Sequence, residues 1–100
     1  MIQQMPTDIS AIKPGTIAAF EIESRRIAVA NADGTLFAFD DTCPHRHCSL
    51  ANGRLSGTTV TCECHGSQFD VQTGRVLRGP AAQPIRTYHI DQAGAVHVDN

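Results

Sequence analysis

No stretch of this chain is apolar and long enough to span a bilayer. The opening residues, Met1-Ile2-Gln3-Gln4-Met5-Pro6-Thr7-Asp8, lack the basic start and apolar run of a secretory signal. The expectation is a cytoplasmic protein without a membrane span. Positive charge is not concentrated either: eight Lys and Arg stand against ten Asp and Glu, for a formal net charge of −2, and the arginines are scattered. Nucleic acid, which selects for a basic face, is therefore not an expected partner. A nucleotide-cradling glycine loop and a nucleophile–base pair are also missing, as are internal repeats, low-complexity tracts and linkers. Those absences leave no catalytic residues to name, and point away from an enzyme acting by itself.

What is present is a chain of 100 residues with 41% hydrophobic content, which predicts one small domain over residues 1–100. At that size the core is modest, so a metal or a disulfide is expected to add stability. Turn residues recur at Lys13-Pro14-Gly15, Asn31-Ala32-Asp33-Gly34, Ala51-Asn52-Gly53, Thr73-Gly74, Gly79-Pro80 and Gln92-Ala93-Gly94, leaving almost no room for a long helix. Between them Ile27 and Val29 alternate with alanines, Phe37 and Phe39 flank Ala38, and Val96 and Val98 flank His97, the period of half-buried strands. The prediction is an all-β domain of short antiparallel strands. Its first hairpin pairs 26–30 with 35–39 across Asp33-Gly34, and further strands are predicted over 58–61 and 68–71.

Two segments carry the chemistry, Cys43-Pro44-His45-Arg46-His47-Cys48 and Cys62-Glu63-Cys64-His65-Gly66-Ser67. Each pairs a cysteine with a histidine at ligand spacing, so two loops would each offer one sulfur and one nitrogen. Two soft and two borderline donors suit zinc or an iron–sulfur cluster. The single residue between Cys43 and His45 is short for a zinc finger, which usually keeps two or more. Imidazole in place of two thiolates leaves a [2Fe–2S] cluster less negative and easier to reduce, with potentials of roughly −150 to +300 mV against about −400 mV for the all-cysteine plant type. The plainer alternatives are zinc, or a buried cysteine pair with unrelated surface histidines. His89 and His97 fall in strand patterns and read as solvent-facing or satisfied structural histidines.

Cys-x-His, a spacer, then Cys-x-x-His-Gly resembles the signature of the Rieske family. The match runs through both loops to Gly79-Pro80, setting the cluster-binding region at about 42–82. The resemblance implies a Rieske-type antiparallel β-sandwich with a subdomain of two loops holding one [2Fe–2S] cluster. Cys43 and Cys62 would bind the buried iron, and His45 and His65 the outer one. Cys48 and Cys64 stand where Rieske proteins of cytochrome bc-type complexes and of arsenite oxidase carry a disulfide between the loops, a pair that many ring-hydroxylating oxygenase ferredoxins lack. Two reduced cysteines are the alternative. Ser67 matches a serine that raises the potential by hydrogen bonding a cluster sulfur, whereas Phe69 replaces a tyrosine whose hydroxyl does the same, implying an intermediate potential. Gly79-Pro80 resembles the loop that covers the cluster, with Arg75 and Arg78 nearby as solvated charges.

Family wording also bears on partners. Cys-Pro-His-Arg is common in ring-hydroxylating oxygenases and their ferredoxins, whereas quinol-oxidising complexes usually have leucine and glycine in place of Arg46 and His47. A charge beside His45 would be costly to desolvate in a quinol pocket, so Arg46 and His47 read as contacts for a docking redox protein. The expected function is a one-electron ferredoxin between a reductase and an oxygenase. The alternatives are a small subunit of a larger oxidoreductase such as arsenite oxidase, and a structural subunit without redox work.

Overall fold

The computed structural model describes residues 12–22, 24–43, 48–64, 66–79, 83–91 and 95–97. They form two antiparallel sheets, as the all-β expectation requires. Strands β1 (Ile17–Ile22), β2 (Arg25–Ala32), β3 (Thr35–Asp40), β8 (Thr87–Ile90) and β9 (Val96–His97) form one sheet in that spatial order. Strands β4 (Arg54–Ser56), β5 (Thr59–Thr61), β6 (Gln68–Asp70) and β7 (Val76–Arg78) form a smaller meander. The small sheet is inserted between β3 and β8, so both cysteine loops lie in or at the entrance of this insertion.

The predicted first hairpin is β2–β3. Ala32 pairs with Thr35 across a two-residue turn in which both Asp33 (φ 54°) and Gly34 (φ 95°) are left-handed. Those angles match the right-handed twist of the strands they join. Asn31 Oδ1 accepts from the Gly34 amide at 2.7 Å, holding the turn from inside.

One expectation changes at β2. Its Ile/Ala alternation predicts one buried face, yet every residue from Ile27 to Ala32 is buried. Ile27 and Val29 join Ala38 beneath Phe20, Ile22, Tyr88, Ile90 and Val96, so side chains from both edge strands, β1 and β9, pack over this face. Ala28 and Ala30 point the other way and join Phe39, Leu50, Val60, Phe69, Val71, Cys43 and Cys62 in a core shared with the insertion. Alanine is the apolar residue that buries a strand face while letting a second layer approach closely.

Two glycines permit similar approaches within and around the small sheet. A side chain at Gly53 would run into the Thr61 carbonyl, and one at Gly74 into the Ile85 carbonyl. Gly74, at φ 82°, also accepts the Ile85 amide at 2.9 Å, pinning the segment before β8 to the insertion. No helix among the described residues is long and apolar enough to cross a membrane.

Candidate metal centre

The first ligand loop leaves the end of β3 at Asp41. Thr42 bridges Ser49, and the Cys43 amide donates to the Cys48 carbonyl at 2.8 Å, so the two ends of the first loop are held together. Asp41, fully buried, fastens that loop to the large sheet. Its carboxylate accepts from Arg26 Nε at 3.1 Å, Ser49 Oγ at 2.6 Å and the Ala51 amide at 2.8 Å. Its carbonyl takes the Leu50 amide at 2.6 Å. A buried carboxylate is tolerable only when its lone pairs are filled in this way.

Sequence reasoning missed Asp41. An acidic residue after a strand reads as a surface turn, and only the β2–β3 register brings Arg26 to it.

The second loop repeats the closure: the Cys62 amide donates to the Ser67 carbonyl at 2.8 Å. Thr61 pairs with Gln68 beneath it, and Gln68 Nε2 donates to Thr61 Oγ1 at 3.2 Å. The strands predicted around this loop are β5 and β6, and they pair with each other. Gly66, at φ 80°, donates its amide to the Cys62 carbonyl at 3.1 Å. Nothing lies within 4 Å of where its Cβ would be. The glycine after His65 is thus required for its backbone conformation, not for space.

Cys48 and Cys64 form a disulfide joining the loops, with Cα atoms 6.5 Å apart. The alternative of two reduced cysteines is thereby set aside. Cys43 and Cys62 lie outside the disulfide and are buried, 1% and 2% exposed. The sulfurs of Cys48, Cys62 and Cys64 all lie within 4.8 Å of one another, so the disulfide sits against Cys62. His45, Arg46, His47, His65 and Pro80 lie outside the described residues.

The donor chemistry fits a cluster. The disulfide takes two of the four sulfurs, and the remaining pair is buried, one soft donor from each loop. Ser67 is 1% exposed at the end of the second loop, and Phe69 is fully buried in the core that contains Cys43 and Cys62. Gly79, Arg75 and Arg78 are exposed. An open cleft of about 860 Å³ runs beside the second loop between Arg54, Thr61, Glu63 and Gln68, unlike the enclosed apolar pockets that hold small molecules.

Residues 4–89 match the family model described as "Rieske [2Fe-2S] domain". The chain is 32% identical over 82 residues to the ferredoxin component of the naphthalene 1,2-dioxygenase system of Pseudomonas putida, covering 82% of this chain and 79% of that one. The ferredoxin of Sphingomonas yanoikuyae B1 superposes with a TM-score of 0.85 at 32% identity, covering 98% of both chains. A chain from the complex of reduced oxygenase and oxidized ferredoxin in carbazole 1,9a-dioxygenase superposes with a TM-score of 0.77 at 31% identity, over 88% of this chain and 92% of that one. With a family match across most of its length and two closed cysteine loops at the matching motif, this chain belongs to the Rieske [2Fe–2S] domain family and carries one [2Fe–2S] cluster.

Proposed function

We propose that this chain is a one-electron carrier, the ferredoxin that passes electrons from a reductase to a ring-hydroxylating oxygenase. The observation that carries the reading is the Cys48–Cys64 disulfide tying the two loops, with one buried cysteine outside that bridge, Cys43 or Cys62, in each. In this reading the Cys43 and Cys62 thiolates hold the inner iron, and the His45 and His65 imidazoles the outer one. When bound, the cluster supplies a site that gains and loses a single electron near the protein surface. The chain's own work is positional. Burial keeps water from the two cysteines, the amide-closed loops fix the spacing of the ligands, and the disulfide limits relative motion of the loops. Ser67, buried and joined to Cys62 through its carbonyl, would stabilise the reduced state, and the Gly79-Pro80 segment would supply the loop that covers the cluster.

Two similarities support the oxygenase partner, the ferredoxin component of the naphthalene system and the ferredoxin–oxygenase complex of the carbazole system. Arg46 and His47 follow His45 in sequence and would contact that partner. The chain is an electron-transfer component without a substrate of its own, acting in the cytoplasm, where a nicotinamide-fed flavoprotein would reduce it. Anaerobic mixing of the holoprotein with such a reductase and NADH tests this reading. Bleaching of the cluster's visible absorption within the turnover time of the reductase is expected, and no reduction would count against it.

The disulfide favours a second reading, a small subunit of a larger oxidoreductase such as arsenite oxidase. Stable co-purification with a large catalytic subunit would support that reading over a carrier that docks and leaves.

A further inference from the structure

The β8–β9 hairpin carries a group of side chains that the electron-transfer reading does not use. His89 and His97 are direct cross-strand partners. Because successive side chains in a strand point to opposite faces, Asp91 shares the face of His89, while Ile90 and Val96 point to the other face and pack onto Ile27, Val29 and Ala38. That packing fixes the hairpin and leaves both imidazoles exposed. The ring centres are 5.6 Å apart at an interplanar angle of 40°. His97 Nε2 lies 2.8 Å from Asp91 Oδ2, with the two side chains 48% and 35% exposed. Asp91 is itself held, since its Oδ1 accepts the Ala95 amide at 3.0 Å and its own amide donates to the Ala95 carbonyl at 3.0 Å.

The spacing of the rings matches joint coordination of one ion. A metal–nitrogen distance of about 2.0–2.1 Å, plus about 1.2 Å from nitrogen to ring centre, puts two imidazoles on a tetrahedral ion with centres about 5.2 Å apart. The observed 5.6 Å needs only a small adjustment of two exposed rings. In the tautomer that carries its proton on Nε2, His97 donates that N–H to the Asp91 carboxylate and keeps the Nδ1 lone pair for a metal. A carboxylate that fixes ring orientation and raises ligand basicity in this way is the usual companion of a metal-bound histidine. Imidazole donors select zinc, copper or nickel over magnesium or calcium.

We propose that His89 and His97 form an exposed site for a divalent transition-metal ion of the zinc class, with Asp91 orienting His97 and water completing the coordination. Occupancy would clip the edge strand β9 to β8.

Titration of the untagged holoprotein with Zn²⁺ by calorimetry tests the proposal. One saturable equivalent is expected in the parent protein. His89→Ala and His97→Ala should each weaken it at least tenfold, and Asp91→Asn by about tenfold. The cluster absorption and metal-free unfolding midpoint of each variant report an intact fold. Absence of saturable binding in the parent, or equal binding in parent and both histidine variants, would overturn it.

Discussion

The two sheets are held together in different ways. The five-stranded sheet rests on area: β2 buries all its residues from Ile27 to Ala32, and its three leading strands, β1 to β3, run six to eight residues. The four-stranded insertion has strands of three residues and depends on discrete fastenings. These are the Cys48–Cys64 disulfide, the buried Asp41 carboxylate, two amide-to-carbonyl loop closures and the close approaches at Gly53 and Gly74. Distributed apolar packing degrades gradually when a methyl group is removed. Point fastenings fail singly, and the ligand loops depend on them because a cluster needs four donors in one geometry.

The largest expected effect follows from Asp41→Ala. It removes the acceptor for Arg26, Ser49 and the Ala51 amide and should cost on the order of 4 kcal/mol, since bonds to a charged acceptor contribute about 1.5–3 kcal/mol each and Arg26 regains water. Chemical denaturation measures the loss, and iron content should fall with it. Next comes Cys48→Ser with Cys64→Ser, expected to cost about 3 kcal/mol for a loop of this length and to speed iron release. If the double variant keeps the parent's iron-release rate, the insertion does not depend on that fastening.

Ile27→Val in the large sheet should cost only about 1 kcal/mol and leave iron release unchanged. That contrast with Asp41→Ala is the sharpest test of the difference between the sheets.

The smallest effect concerns pH. Burial raises the Tyr88 pKa above its ordinary value of 10.0, and the hydrogen bond to Asp40 raises it further, against an opposing contribution from Arg25. A raised pKa means that the neutral phenol is favoured in the folded state. The stability this contributes is complete below about pH 10 and is lost as pH rises through the folded-state value. Unfolding midpoints between pH 8 and 11 should therefore fall more steeply for the parent than for Tyr88→Phe.

Much of this organisation was readable from residues. Asp33-Gly34 marks the β2–β3 hairpin because few other dipeptides accept two positive φ angles, and the cysteine–histidine spacing marks the loops; the disulfide is implied by the Rieske resemblance. All four strands of the insertion are three residues long, too short to display a period; β5 and β6 are marked by their place on either side of the second loop, and β4 and β7 have no such mark. β2 was read as half buried because alanine carries little hydrophobic signal, although it is alanine that admits the second layer. Asp41 escaped because its partners reach it through strand register and the fold of the loop. His89 and His97 were legible as strand residues, but their pairing depends on the register of β8 with β9.

The central proposal is that two sulfurs and two imidazole nitrogens, from Cys43, Cys62, His45 and His65, would hold the cluster. Pulsed electron paramagnetic resonance of the reduced protein, with iron and sulfide assayed on the same sample, tests it most directly. Two strongly coupled nitrogens with two irons and two sulfides per chain are expected, and one nitrogen coupling should disappear in His65→Cys. A cluster without nitrogen coupling, or a single zinc per chain, would contradict the account.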